Sequence, residues 1–103
     1  MKKSMNALIQ WLKADENGRK TRMRTHVRYC PRIVFDGDEN SNDSWSAAMV
    51  NIQYIKEYTT IAILSFLSEK APFEKLRSGE TFCLYEGDRL VAKGEIMDFG
   101  SEV

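Results

Sequence analysis

Apolar residues in this chain fall in short runs separated by polar turns, and most runs have period two or are apolar throughout. That is the pattern of a strand protein. Asn6 to Lys13 carries Leu8, Ile9, Trp11 and Leu12, a spacing that fits either a strand or a short helix. Asp15-Glu16-Asn17-Gly18 ends it, because Asn-Gly favours the positive φ of a tight turn. Arg19 to Arg28 is polar and only loosely alternating, an exposed strand or ordered loop leading to Tyr29-Cys30-Pro31. Pro31 has no N–H, so it marks a strand edge or entry, and Arg32-Ile33-Val34-Phe35 follows as a short strand. Asp36 to Ser44 is an acidic loop. Trp45 to Gln53 alternates as a strand, with Trp45, Ala47, Met49 and Asn51 on one face. Tyr58 to Leu67 is rich in β-branched residues and apolar on both faces, so it is predicted to be central. Around Pro72, Phe73 and Leu76 suit one helical turn that Gly79 ends. Thr81 to Glu86 and Arg89 to Ile96, joined by Gly87-Asp88, read as a hairpin. About six short strands with neither a long helix nor an internal repeat predict an all-β fold. The expected form is a small antiparallel β-barrel of six or seven strands in a single domain over 1–103, with Ile61, Ile63, Leu84 and Val91 in its core.

Composition narrows the function. At 103 residues the chain supports one modest core. Its 15 basic and 15 acidic residues cancel, which disfavours binding nucleic acid by overall charge. The cancellation is between regions: nine basic and two acidic residues precede Asp36, and six basic and thirteen acidic ones run from Asp36 to Val103. No apolar run is long enough for a membrane helix, and no signal-peptide pattern follows the basic start, so a cytoplasmic protein with no membrane partner is expected. Cys30 and Cys83 are then expected to be reduced thiols. Neither a metal nor another cofactor is expected. His26 and Cys30 alone are too few ligands for zinc. Asp36, Asp38 and Asn40 open like a calcium loop, but Ser41 stands where its glycine belongs and Ala47 where its glutamate belongs.

Three segments in order carry a family resemblance. They are Ala7-x-Ile9-x-x-Leu12-x-x-Asp15-Glu16-Asn17-Gly18-Arg19-x-Thr21, Tyr29-Cys30-Pro31-Arg32-Ile33-Val34-Phe35, and Phe82-x-Leu84-x-Glu86-Gly87-x-Arg89-x-Val91-Ala92-x-Gly94-x-Ile96. Together they resemble the third, C-terminal β-barrel domain of elongation factor Tu, and Ser65-Phe66-Leu67-Ser68 is similar to stand-alone bacterial proteins of that type. The resemblance implies a small antiparallel barrel, and for the family a surface near the acceptor and T-stem of tRNA. Two departures weigh against tRNA here. Cys30 stands where the family has an arginine, and Arg32 follows the proline in place of an amide. The acidic loop lies close by, where it would repel phosphates. No G-x-x-x-x-G-K-[ST] occurs, so no nucleotide partner and no GTPase activity are expected.

No enzyme is expected either. No serine sits in a G-x-S-x-G elbow, and in a strand His26 and Cys30 would be about 13 Å apart, too far for a nucleophile and its base. The expectation is a non-enzymatic protein-binding module, a regulator or immunity-type inhibitor. Asp36, Asp38, Asp43 and Trp45 are its candidate partner-binding residues, since tryptophan is favoured at binding hot spots. The alternative is an RNA- or tRNA-binding accessory protein using Arg22, Arg24, Arg28 and Arg32 within the basic first third. The identity of the partner and the oligomeric state are not legible in the sequence.

Overall fold

A computed structural model describes residues 4–12, 26–37 and 45–97. The strands are β1 (Met5–Trp11), β2 (Arg28–Tyr29), β3 (Arg32–Phe35), β4 (Trp45–Lys56), β5 (Thr59–Phe66), β6 (Thr81–Glu86) and β7 (Arg89–Ile96). Six of them close on themselves in the order β4-β3-β6-β7-β1-β5 and back to β4, every pair antiparallel, with β2 an additional strand on β4. This is the expected all-β antiparallel barrel. Closure gives each of these six strands two neighbours, where an open sheet would leave two unpaired edges; β2 alone has one neighbour among the described residues.

The register of β2 against β4 runs without a shift into that of β3 against β4: Arg28 faces Val50, Tyr29 faces Met49, Arg32 faces Ser46 and Ile33 faces Trp45. The two strands are therefore one line of chain interrupted at Cys30-Pro31, where Pro31 has no N–H to donate but its carbonyl still accepts from Ala47 N–H at 2.8 Å. Alternation continues through the interruption. Pro31, Ile33 and Phe35 are buried and Tyr29 half-buried, whereas Arg28 and Cys30 are exposed.

Each strand lines the interior with alternate residues. β1, which the apolar spacing left open between strand and helix, is a strand with Met5, Ala7, Ile9 and Trp11 inside. β5 lies between β1 and β4, paired on both edges as its composition suggested. Its burial corrects one expectation. Thr60, Ala62, Leu64 and Phe66 face inward, Ile61 is half-buried, and Ile63 is 42% exposed. A strand apolar on both faces has no polarity signal to choose which face is the core. The ladder chooses, by setting Ala62 against Asn51 and Leu64 against Met49. Leu84 and Val91 are fully buried as expected. A bulge in β7 sets Leu84 against Ala92 but Tyr85 against Leu90, which brings the consecutive residues Val91 and Ala92 both into the core.

The two ends of the barrel are closed differently. At one end a 3-10 turn, Phe73–Lys75, seats the Phe73 ring edge-on against Phe66 at 5.2 Å, with Leu76 fully buried behind it. At the other end Trp11 Nε1 donates to Thr60 Oγ1 at 2.9 Å, and Thr60 Oγ1 donates to Asn51 Oδ1 at 2.9 Å. This chain gives the buried indole N–H and the hydroxyl their partners without water. Nearby, the Tyr29 hydroxyl donates to Glu86, which also accepts from Arg89 at 3.1 Å. Gly87 has φ of 63° at the first of the two turn residues between β6 and β7, a value an L side chain rarely adopts and the pattern of a tight hairpin turn.

Candidate functional site

The expected partner-binding residues are only partly assembled. Asp36 follows β3 at the Phe73 end of the barrel and is exposed. Its carboxylate accepts from the Thr81 hydroxyl and its N–H donates to the Thr81 carbonyl at 3.0 Å, so it fastens the end of β3 to β6. Trp45 opens β4 opposite Ile33, on the inward parity, half-buried and packed against the core. Asp38 and Asp43 lie outside the described residues. The portion seen is therefore an exposed acid tied to β6 and, opposite Ile33, an indole that serves the barrel's own packing.

Of the four arginines, Arg22 and Arg24 also lie outside the described residues. Arg28 and Arg32 share the outer face of the β2–β3 line, four residues and so about 13 Å apart. The Arg32 guanidinium stands 4.6 Å from the centre of the Tyr85 ring and donates to the Gly87 carbonyl at 3.2 Å, so it helps hold the β6–β7 turn. Arg28 is exposed beside Val50.

The groups with chemical reactivity are dispersed. His26 is exposed, has φ of 64°, and spends its N–H on the Asn51 carbonyl at 2.8 Å. Cys30 is exposed on the β2–β3 line. Cys83 is half-buried in β6 opposite Val34, four residues further along, so the thiols are separated by about 13 Å of strand where a disulfide needs Cα atoms within about 7 Å. Labelling the native protein without reductant is expected to modify Cys30 quickly and Cys83 slowly, and denaturation should reveal two free thiols. Finding no free thiol in the denatured protein would overturn both the register and the expected redox state. Cys83 borders a shallow groove of about 260 Å³, lined also by Leu8, Gln10, Lys93 and Glu95. Among the described residues no group of three or more His, Cys, Asp or Glu could hold a metal ion, and no helix is long and apolar enough to cross a membrane.

What composition and motif missed is the outer face of β1, β5 and β4. A half-solvated sheet is expected to alternate apolar inside with polar outside. Here the outward positions include Leu8 on β1, Ile61 and Ile63 on β5, and Val50 on β4. The ladders join them: Leu8 faces Ile61, and Ile63 faces Val50 across one strand pair and Asn6 across the other. Beyond Asn51, two irregularities in β4 carry the β4–β5 hairpin on to its Glu57-Tyr58 turn, where Tyr54 and Ile55 are 44% and 47% exposed. Of the four aliphatic residues joined by the ladders, Ile63 is 42% exposed and Leu8, Ile61 and Val50 are half-buried, so they present an aliphatic strip to solvent, the kind of surface a contact can cover.

No protein-family model matches the chain, and no curated protein matches it in sequence.

Proposed function

We propose that this chain is a non-catalytic protein-binding module, a cytoplasmic regulator or immunity-type inhibitor built on a barrel like the third domain of elongation factor Tu. The single observation that supports it is the exposure of branched aliphatic residues, Ile63 foremost, on the outside of a barrel whose inside is already filled. Removing such a surface from water is worth about 25 cal/mol per Å², a gain that only a partner can supply once the core is complete.

RNA binding is the alternative, and one observation favours it: Arg28 and Arg32 share one outer face. Against it, Arg32 is engaged with Tyr85 and Gly87, and the outward positions in the row with Arg28, Val50 and Ile63, are aliphatic, whereas the exposed ring of Tyr54 lies further along β4.

The test is Ile63→Lys. Its side chain points outward, so the melting temperature should be nearly unchanged, while capture of the native protein partner from the source cytoplasm should weaken by about tenfold or more, as for an interface anchor. Undiminished capture would refute the assignment. Salt-sensitive RNA binding lost on changing Arg28 and Arg32 to alanine would establish the alternative in its place.

A further inference from the structure

The strands that form the aliphatic face have an unusual charge pattern. β1, β2, β3, β4 and β5 contain no aspartate or glutamate at any position, inward or outward, and their charged residues are Arg28, Arg32 and Lys56. The strand carboxylates are Glu86 and Glu95, on β6 and β7, and Asp36 stands past the end of β3. The acid-free strands are thus aliphatic and cationic, and carboxylates stand at their borders: Glu95 faces Leu8 across β1 and β7, Glu86 accepts from Tyr29, and Glu57 lies in the β4–β5 turn.

The ladders put these features in order across the wall. Asn6, Ile63, Val50 and Arg28 form one continuous cross-strand row, and Leu8 faces Ile61 in a neighbouring one. Directly opposed side chains in a sheet stand about 5 Å apart. The row therefore runs from a neutral amide over two aliphatic side chains to an exposed guanidinium, with Arg32 further along the same edge.

We propose that this wall docks an acidic amphipathic segment of a partner protein, its apolar ridge on Ile63, Val50 and Ile61 and its carboxylates against Arg28. The proposal rests on the protein-binding function above and specifies the chemistry of the partner. Charge complementarity carries it. A basic partner would meet Arg28 with no carboxylate in these five strands to answer it, and a polar one would leave the aliphatic residues desolvated without a match. Nucleic acid would use the arginine but bury its phosphates against aliphatic carbons. Closure of the barrel determines the manner of docking. Each of the six ring strands already has two neighbours, and among the described residues β2, paired with β4 alone, is the short exception, so the contact is made by side chains on the sheet face.

The experiment titrates the isotopically labelled full chain with a synthetic amphipathic helical peptide of leucine and glutamate, and with the same peptide carrying lysine for glutamate. The expected result is saturable binding of the acidic peptide, with amide shift changes centred on Val50, Ile61, Ile63 and Arg28. Arg28→Glu should weaken the acidic peptide by about tenfold and strengthen the lysine peptide. Ile63→Lys should abolish the response on this face, and both variants should melt within a few degrees of the parent, as surface changes do. Equal binding of both peptides, no binding, or shift changes confined to β6 and β7 would overturn the proposal. So would displacement of the acidic peptide from this face by polyuridine at physiological salt, which would make the face an RNA site. If Ile63→Lys still loses the native partner while the two peptides are not distinguished, the acidic-partner inference falls and the protein-binding function stands. If partner capture ignores Ile63→Lys, that function falls, and the charge swap at Arg28 decides the chemistry separately.

Discussion

Replacing Gly94 with valine is expected to destabilise the barrel by about 3 kcal/mol or more, enough to lower the melting temperature of a domain this size by roughly 12 °C. Gly94 lies in β7 opposite Phe82 in β6. A Cβ added there would fall 2.5 Å from Phe82 Cε1, closer still to its Cζ, and 3.0 Å from Ile9 Cδ1. The ring cannot swing aside cheaply. Phe82 is fully buried, and Phe35 holds it at 5.8 Å in an edge contact. The glycine is required here for space, since its φ is not in the left-handed region. A smaller ring neighbour should relieve the clash, so Phe82→Leu is expected to cost less in a Gly94→Ala background than in the parent. Urea unfolding measures both. A Gly94→Val protein with the parental midpoint would show that the ring does not rest on the glycine backbone.

Thr60→Val should cost about 2–3 kcal/mol although the two side chains have nearly the same shape. Thr60 is fully buried and its hydroxyl both accepts from Trp11 Nε1 and donates to Asn51 Oδ1. Valine would leave the buried indole N–H without its acceptor and remove a donor from Asn51, and no water can readily reach either group. Thr60→Ser keeps the hydroxyl and loses one methyl, so it should cost about 1 kcal/mol. The order of the two variants in chemical denaturation is the measurement. If serine proves the more damaging, packing and not the hydrogen-bond chain holds that end of the barrel closed.

These two sites differ in how visible they are before folding. Glycine at 94, inside a run that otherwise reads as a strand, signals that something approaches the backbone closely, although the identity of Phe82 as that neighbour comes from the hairpin register. Thr60 carries no such signal. Its place in an apolar run suggests an ordinary β-branched residue, and its partners are 49 and nine residues away in sequence.

The candidate surface was legible in a similarly partial way. Asp36 and Trp45 drew attention by charge and by the binding tendency of tryptophan, yet the indole packs on the core and the carboxylate ties β3 to β6. The absence of acids from 4–12, 45–56 and 59–66 is written in the sequence, but it becomes a surface only when pairing sets Ile63 beside Val50 and Val50 beside Arg28.

Local chemistry determined the elements. Gly87-Asp88 can turn the chain in two residues, Pro31 must interrupt a ladder, and β-branched runs between polar turns favour extended backbone, so the hairpin Thr81–Glu86 with Arg89–Ile96 was readable residue by residue. The tertiary structure alone decided which face of β5 is interior, why Val91 and Ala92 are both buried, and that Ile63, Val50 and Arg28 stand in one row. The reason is that side-chain direction in a strand alternates with every residue. A strand apolar on both faces is ambiguous by one position, and only hydrogen bonds to strands distant in sequence remove the ambiguity.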